Sequence, residues 1–251
     1  MPRVLVVLPT HNEAATVGDV IEGILEAGRG VGLDLSVLVV DDASTDGTRE
    51  VVEEARQRTG RVFLLPRPGK LGLGSAYIDG FRWGLENMPE AEAFVEMDAD
   101  GSHDPLQLPR LVAPVLEGSA EVAVGSRYVP GGGWRGGALR RRLVSRGANL
   151  LARLTTGLKV RDATSGYRAI SRRVLEEALR LRKGFEPGYV FQVETLLFFR
   201  RLGARIVEAP IDFYERAGGR SKLSAREVRR FALWCLRQSL GRLGRPTSVR
   251  L

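Results

Sequence analysis

A single cysteine and two histidines in 251 residues leave this chain almost without soft or imidazole ligands. Cys235 has no companion for an internal disulfide or a thiolate metal cluster, a usage that suits a reducing compartment. Long apolar runs are lacking too: no charge-free run approaches the ~18–20 residues that a bilayer-spanning helix needs. The opening MPRVLVVLPTHNE has no basic leader, extended apolar core or cleavage site, so it reads as a first strand and the chain is expected in the cytoplasm. Internal repeats and low-complexity tracts are missing. Aromatic residues, 7% of the chain, are not interleaved with the arginine clusters, and no helix-turn-helix, zinc or RNP-like signature occurs. No nucleic-acid partner is therefore expected.

Acidic residues are scarce in one half only. Residues 1–125 carry 10 Lys and Arg against 21 Asp and Glu, net −11, whereas residues 126–251 carry 28 against 9, net +19. The halves must meet different partners. A basic half serves nucleic acid, anionic lipid headgroups or a phosphorylated substrate, and charge alone does not choose among them.

Up to about residue 125, β-branched runs alternate with amphipathic stretches. RVLVVLP, LSVLVVDD, RVFLL, AFVEMDAD and AEVAVGS have the continuous apolar character of strands covered on both faces. Val17, Val20, Ile21, Ile24 and Leu25 recur at helical spacing between the first two, and Val51, Val52 and Ala55 line a second helix. This βαβ alternation predicts an α/β fold with a mostly parallel central sheet, whose ligands gather at the carboxyl ends of the strands. Beyond it, Gly131, Gly132 and Gly133 suggest a mobile loop, and a helix follows with Leu143, Gly147, Leu150, Leu151 and Leu154 on one face among Arg140, Arg141, Arg142, Arg146 and Arg153. SRRVLEEALRL and YVFQVETLLFFRRLG read as helices and RIVEAPIDFYE as a strand. From Ser224 to Leu243 a basic amphipathic helix carries Val228, Phe231, Cys235, Leu236, Leu240 and Leu243 on one stripe, before a frayed tail.

The polar clusters PTHNE, DDASTDGT and DADGSH each begin where a predicted strand stops. Asp98 and Asp100 in EMDADGSHDP, read as strand residues, leave the same face. Carboxylates that close repel unless a cation lies between them, and hard oxygen ligands suit Mg²⁺ or Mn²⁺ with substrate phosphates completing the shell. Asp41 and Asp42 close the second strand, where a carboxylate can accept hydrogen bonds from a base or ribose. Ser44, Thr45 and Asp46 read as helix caps, as does Asn12, with Glu13 a favourable first-turn acid. Gly69, Gly72 and Gly74 in PGKLGLGSA match neither a Walker sequence nor a dinucleotide fingerprint. Arg127, Arg168, Arg216 and Lys222 are isolated cations that would bind a phosphorylated acceptor or a diphosphate if they converged.

Taken together, PTHNEAATV, VLVVDDASTDGT, GLGSAYIDGFRWGL, EMDADGSHDP, VGSRYVPGG, SRGAN, DATSGYRAI, GYVFQVE and FYERAGGRSKL resemble the polyprenyl-phosphate mannose synthases. These are bacterial relatives of dolichol-phosphate mannose synthase among the inverting family 2 glycosyltransferases. The resemblance runs from Val4 to about Leu223, with the motifs in the family's order. It implies a GT-A (Rossmann-like) domain over 1–223, divided into a nucleotide- and metal-binding half, 1–125, and an acceptor-binding half, 126–223, with the amphipathic helix and tail at 224–251. It implies that Pro9, Thr10, His11, Glu13, Asp41, Asp42, Asp98, Ala99 and Asp100 bind GDP-mannose, with Asp98 and Asp100 also holding the cation. Arg216 and Lys222 would face the donor diphosphate. Arg127, Arg141 and Ser145 would grip the phosphate of a polyprenyl or dolichyl monophosphate, with Arg127 among the catalytic groups. His11 departs from the family's usual Tyr or Phe.

A phosphate acceptor oxygen is already negative near neutral pH, since its second pKa is about 6, so no general base is required. The resemblance further implies a peripheral protein on the cytoplasmic face of an anionic membrane. The helix around Leu139–Leu154 and the terminal helix are the expected contacts. A separate membrane-anchoring protein stays open as recruiter. Three alternatives stand beside this reading: a UDP-sugar donor with the same acceptor, a nucleic-acid module using the basic half, and a catalytically silent sugar-nucleotide binder.

Overall fold

The computed structural model describes residues 1–182, 184–215 and 225–243, with side chains except those of 225–226 and 240–243. Four βα repeats and a fifth strand build the first half: β1 (Arg3–Thr10), α1 (Val17–Ala27), β2 (Asp34–Asp41), α2 (Thr48–Thr59), β3 (Val62–Pro66), α3 (Leu73–Asn87), β4 (Ala91–Glu96), α4 (Leu108–Leu116) and β5 (Val122–Ser126). The second half adds β6 (Gly133–Arg135), α5 (Leu139–Thr156), β7 (Arg168–Ser171), α6 (Arg172–Leu181), α7 (Tyr189–Arg201), β8 (Ile206–Pro210), β9 (Asp212–Tyr214) and α8 (Ala225–Leu243).

Seven strands form one sheet in the order β3-β2-β1-β4-β7-β5-β8, and β6 pairs with β9 in a small second sheet. Every pairing in the large sheet is parallel except those of β7, which runs against both β4 and β5. The alternation of side chains along each strand explains the apolar runs. Leu5, Val7, Leu38, Val40 and Phe94 face one layer of helices, while Val4, Val6, Leu8, Val37 and Val39 face the other. Because the chain winds from β1 to β3 and then returns to place β4 on the other side of β1, the carboxyl ends of β1 and β4 form a switch point, where α/β folds hold ligands.

Several expected elements differ. β4 stops at Glu96, where its pairing with β7 ends at Arg168, so Asp98 and Asp100 lie on the following loop rather than in a strand. RIVEAPIDFYE splits at Ile211 into β8 and β9, which join different sheets. Gly133, expected in a mobile loop, belongs to β6 and is paired with Asp212. β7 itself has too few residues to show a period. On α5 the leucine stripe faces outward, as the expected membrane contact requires, with Leu143, Leu150 and Leu154 57%, 55% and 71% exposed, except at Leu151, which packs against the core beside the inward-turned Asn149, Ala152, Thr155 and Thr156. On α8 the reverse holds at the centre, with Phe231, Trp234 and Cys235 buried while Val228 and Leu236 stay exposed.

Helix α3 lies close on the sheet because Gly80 and Gly84 share the face that meets it. A Cβ on Gly84 would collide with Leu5 and come within 2.8 Å of the Phe94 ring. Overpacking of this kind costs about 1–3 kcal/mol, and the helix-propensity gain of Ala over Gly, at most ~1 kcal/mol, does not offset it. Gly84→Ala is therefore expected to lower Tm by several degrees in a calorimetric melt, whereas Gly147→Ala, on the open side of α5 with no atom near its Cβ position, leaves Tm unchanged or raises it.

Candidate active site

At the switch point three loops are stitched together. After β1, the Asn12 N–H donates to Ser44 Oγ and the Asn12 carboxamide oxygen accepts from Thr45 N–H, both at 2.9 Å. Glu13 N–H donates to Thr48 Oγ1 and Ala14 N–H to Asp46, at 3.0 Å each. Thr16 Oγ1 then donates to the Ala99 carbonyl at 2.8 Å, tying the start of α1 to the loop after β4. Asn12 and Ala43 both adopt left-handed backbone, φ 59° and 56°, the strain that functional loops concentrate. Asn12 thus joins loops instead of capping α1, and Asp46, one residue before the Gly47 N-cap of α2, accepts from Thr48 N–H at 3.1 Å.

These loops border a cleft of about 320 Å³, lined by Pro9, Thr10, His11, Glu13, Asp42, Asp98, Ala99 and Asp100 and also by Lys70, Thr164, Gly166, Tyr189, Gln192 and Glu227. His11 faces it with Nδ1 2.9 Å from the Asp42 carbonyl; a carbonyl only accepts, so Nδ1 carries the proton. Asp100 accepts from Ser102 N–H at 3.0 Å, and Asp98 N–H donates to His103 Nδ1 at 3.2 Å. His103 is buried and stacked on Tyr167 at 4.8 Å, so an imidazole that the sequence did not single out fixes the loop bearing Asp98.

Two anticipated ligands are placed otherwise. Asp41 is fully buried and does not line the cleft: it accepts from Thr10, Ser44 and Arg49 and holds the β2 loop. Burial works to raise its pKa, but the hydrogen bonds from Ser44, Arg49 and Thr10 prevail and hold it below the usual carboxylate range. Arg168 is no phosphate ligand. Its guanidinium is wholly buried and donates to the carbonyls of Gln192 and Ala163 and to Thr195 Oγ1, at 2.7, 2.8 and 3.0 Å. Its Nε lies 3.9 Å from Glu96, whose carboxyl burial pushes up to about 7 against the pull of Arg168 and of the nearby Gln192 amide. Asp42 lines the cleft while accepting from Arg67 and, at 3.0 Å, from Gly72 N–H at the start of α3. Arg216 and Lys222 lie outside the described residues.

A second cavity, about 340 Å³, opens beside the first and shares Thr164, Tyr189 and Glu227 with it. Arg127, Arg141, Ser145 and Trp134 line it, and Val144, Ala148, Leu151, Val228 and Phe231 from α5 and α8 supply its apolar walls. Arg127 makes a fork to Asp162, Nε and Nη2 each 2.7 Å from a carboxylate oxygen, and lies over Trp134 and Phe213 at 4.7 and 5.1 Å. Burial works against its charge, yet Asp162 overrides this and its pKa is raised. Arg141 lies over the same two rings at 5.9 and 5.5 Å, and Ser145 Oγ accepts from Tyr128 at 2.9 Å.

Among the described residues no group of three His, Cys, Asp or Glu side chains is disposed to hold a metal. Asp98 and Asp100 are two hard oxygen donors bordering one cleft, which fits Mg²⁺ or Mn²⁺, ions that take one or two carboxylates and leave the remaining positions to water and phosphate oxygens.

Residues 5–179 match the family model described as glycosyl transferase family 2. An undecaprenyl-phosphate mannosyltransferase from Micrococcus luteus is 43% identical over 226 residues, covering 88% of each chain. A polyprenol monophosphomannose synthase from Mycolicibacterium smegmatis is 41% identical over 252 residues, covering 98% of this chain and 91% of that one. Among solved structures, glucosyl-3-phosphoglycerate synthase from Mycobacterium tuberculosis in complex with Mn²⁺, UDP and glucosyl-3-phosphoglycerate superposes with a TM-score of 0.65 at 27% identity, covering 98% of this chain and 82% of that one.

The Arg127–Asp162 fork is a buried pair, and removing one member of such a pair typically costs about 3–5 kcal/mol. Arg127→Ala is expected to lose stability of that order in urea denaturation, whereas Arg141→Ala stays within about 0.5 kcal/mol of the parent, the range of ordinary surface changes.

Proposed function

The chain belongs to glycosyltransferase family 2, and on that premise we propose that it transfers mannose from GDP-mannose to a polyprenyl or dolichyl-type monophosphate, with inversion at the sugar carbon and with Mg²⁺ or Mn²⁺ bound. One observation carries the reading: two cavities of unlike chemistry meet at Thr164, Tyr189 and Glu227. The first has carboxylates and loop backbone at the carboxyl edge of the sheet, suited to a nucleotide diphosphate and its cation. The second has apolar walls and guanidinium groups, suited to an isoprenoid chain ending in phosphate. The two mannosyltransferases similar to this chain are named for lipid phosphates of this kind.

In this reading Asp98 and Asp100 would hold the divalent ion, whose chemistry would be to neutralise charge on a departing diphosphate. Pro9, Thr10, His11, Glu13, Asp42 and Ala99 surround the nucleotide sugar, and the family resemblance assigns Arg216 and Lys222, outside the described residues, to its diphosphate. Arg141 and Ser145 bind the acceptor phosphate. Arg127, held by Asp162, adds a preorganised positive charge without needing to move. The acceptor oxygen attacks as an anion, the C–O bond to the donor diphosphate breaks as the new one forms, and the nucleoside diphosphate leaves with the electron pair. No side chain has to remove a proton.

No described helix is long and apolar enough to cross a membrane. The outward stripe of α5, Leu139, Leu143, Leu150 and Leu154 beside Arg140, Arg146 and Arg153, is the proposed contact with an anionic leaflet on the cytoplasmic face. On α8, Phe231 and Cys235 are core residues and take no part in that contact.

Purified protein given radiolabelled GDP-mannose and polyprenyl phosphate with Mg²⁺ or Mn²⁺ is expected to make a labelled lipid, and UDP-glucose to give none. Asp100→Ala should cost at least a hundredfold in transfer with Tm preserved. Arg141→Ala should raise the acceptor KM about tenfold, the loss of one charge-assisted hydrogen bond, with donor KM unchanged. Labelled lipid formed only from UDP-glucose would reject the donor assignment, and full activity of Asp100→Ala would reject the metal role. In vesicle flotation, Leu143→Asp/Leu150→Asp should reduce binding to anionic vesicles; undiminished binding would remove α5 from the membrane contact.

A further inference from the structure

The residues common to both cavities define where the transferred sugar must lie. If the diphosphate occupies the first cavity and the acceptor phosphate the second, the anomeric carbon sits at their junction, bordered by Thr164, Tyr189 and Glu227. A carboxylate there would repel either phosphate. It is, however, a strong acceptor for hydroxyl groups, which are what a pyranose presents on its remaining faces.

The chain makes room for that carboxylate. Gly188 precedes α7 with φ 73°, and a Cβ at this position would collide with the Glu227 carboxylate. The backbone conformation favours glycine here, and the missing side chain lets Glu227 approach from the first turn of α8.

A second, independent observation points to a ligand. Gln192, in the first turn of α7, lines the donor-side cleft and is 4% exposed; its carboxamide lies beside the buried Glu96 carboxyl, whose pKa it helps to lower, yet neither of its polar atoms completes a well-aligned hydrogen bond within the protein. Buried amides left in this state are costly and call for an explanation. Gly166 locates the gap: a Cβ there would stand 3.4 Å from Gln192 Nε2 and 3.8 Å from Asp98 Oδ1, so the amide and the proposed metal-binding carboxylate lie about one small space. A hydroxyl group in that space both donates and accepts, and can satisfy the amide.

We infer that Gln192 and Glu227 form the subsite that reads the hydroxyl groups of the transferred hexose, and that they select among nucleotide sugars sharing one nucleotide. This rests on the glycosyl-transfer reading above. Thr164 and Tyr189 complete the wall between the two spaces.

The test separates the sugar from its nucleotide. Calorimetric titrations in Mg²⁺ or Mn²⁺ would compare GDP with GDP-mannose on the wild type, Glu227→Gln, Glu227→Asp and Gln192→Leu, with thermal melts confirming the fold of each. Glu227→Gln and Gln192→Leu are expected to keep GDP affinity within about twofold while GDP-mannose affinity falls tenfold or more. Glu227→Asp should fall between. The preference for GDP-mannose over GDP-glucose in kcat/KM should narrow by a similar factor. Equal weakening of GDP and GDP-mannose would assign these residues to the diphosphate or its cation and overturn the inference, as would unchanged binding of both. A wild type that binds neither compound would instead reject the donor assigned under the proposed function. The same ratio is then read with the nucleotide sugar that the wild type does bind.

Discussion

The antiparallel strand β7 is the join on which the rest depends. It is hydrogen-bonded to β4 on one side and β5 on the other, so a sheet built from two halves of opposite charge closes into one. Its first residue, Arg168, pairs in register with Glu96 and Val124, and its side chain gathers the carbonyls of Ala163 and Gln192 behind the cleft. Burial pulls this guanidinium down to about 10, although Glu96 and Asp162 work to raise it. The segment from Asp162 to Tyr167, which borders both cavities, is thereby held between β7 and the fork from Arg127.

From this join the chemistry follows by position. Parallel strands deliver their loops to one edge, and the hydrogen bonds among Asn12, Ser44, Thr45, Thr48 and Asp46 make those loops a single rigid rim. Such rigidity is what electrostatic catalysis asks for, since charges already in place need not reorganise when the leaving group departs. The basic half contributes the opposite chemistry, an apolar cavity whose arginines rest on aromatic faces. The two cavities meet at Thr164, Tyr189 and Glu227, where the proposed reaction would bring a donor diphosphate and a lipid-borne anion to one sugar carbon.

The first half of the fold was legible because it repeats a simple pattern: apolar runs broken by Asp, Gly and Asn turns show both the strands and their order. That Asp98, Asp100, His11 and Glu13 would border one cleft was visible for the same reason, each lying just past a run. What escaped was whatever depends on long-range contact. Arg168 looks like any other arginine in TSGYRAI, and only the sheet shows that it is a core residue. Asp41 and Asp42 are adjacent in sequence, but alternation turns one into the core and the other to the cleft. Lys70, Gln192 and Glu227 reach the cleft from segments far apart in the chain, and no periodicity marks them. The stripe on α5 was read correctly as a face; which way it turned required knowing what packs beneath.

The central claim is that donor and acceptor occupy separate cavities on opposite sides of one carbon, so that a single displacement transfers the sugar. The anomeric configuration of the product tests this most directly. With an α-linked donor, one-bond carbon–hydrogen coupling at the anomeric position of the purified glycolipid should identify a β-linked mannosyl phosphate. An α-linked product would mean retention, which one displacement between these two cavities does not produce, and would contradict the account.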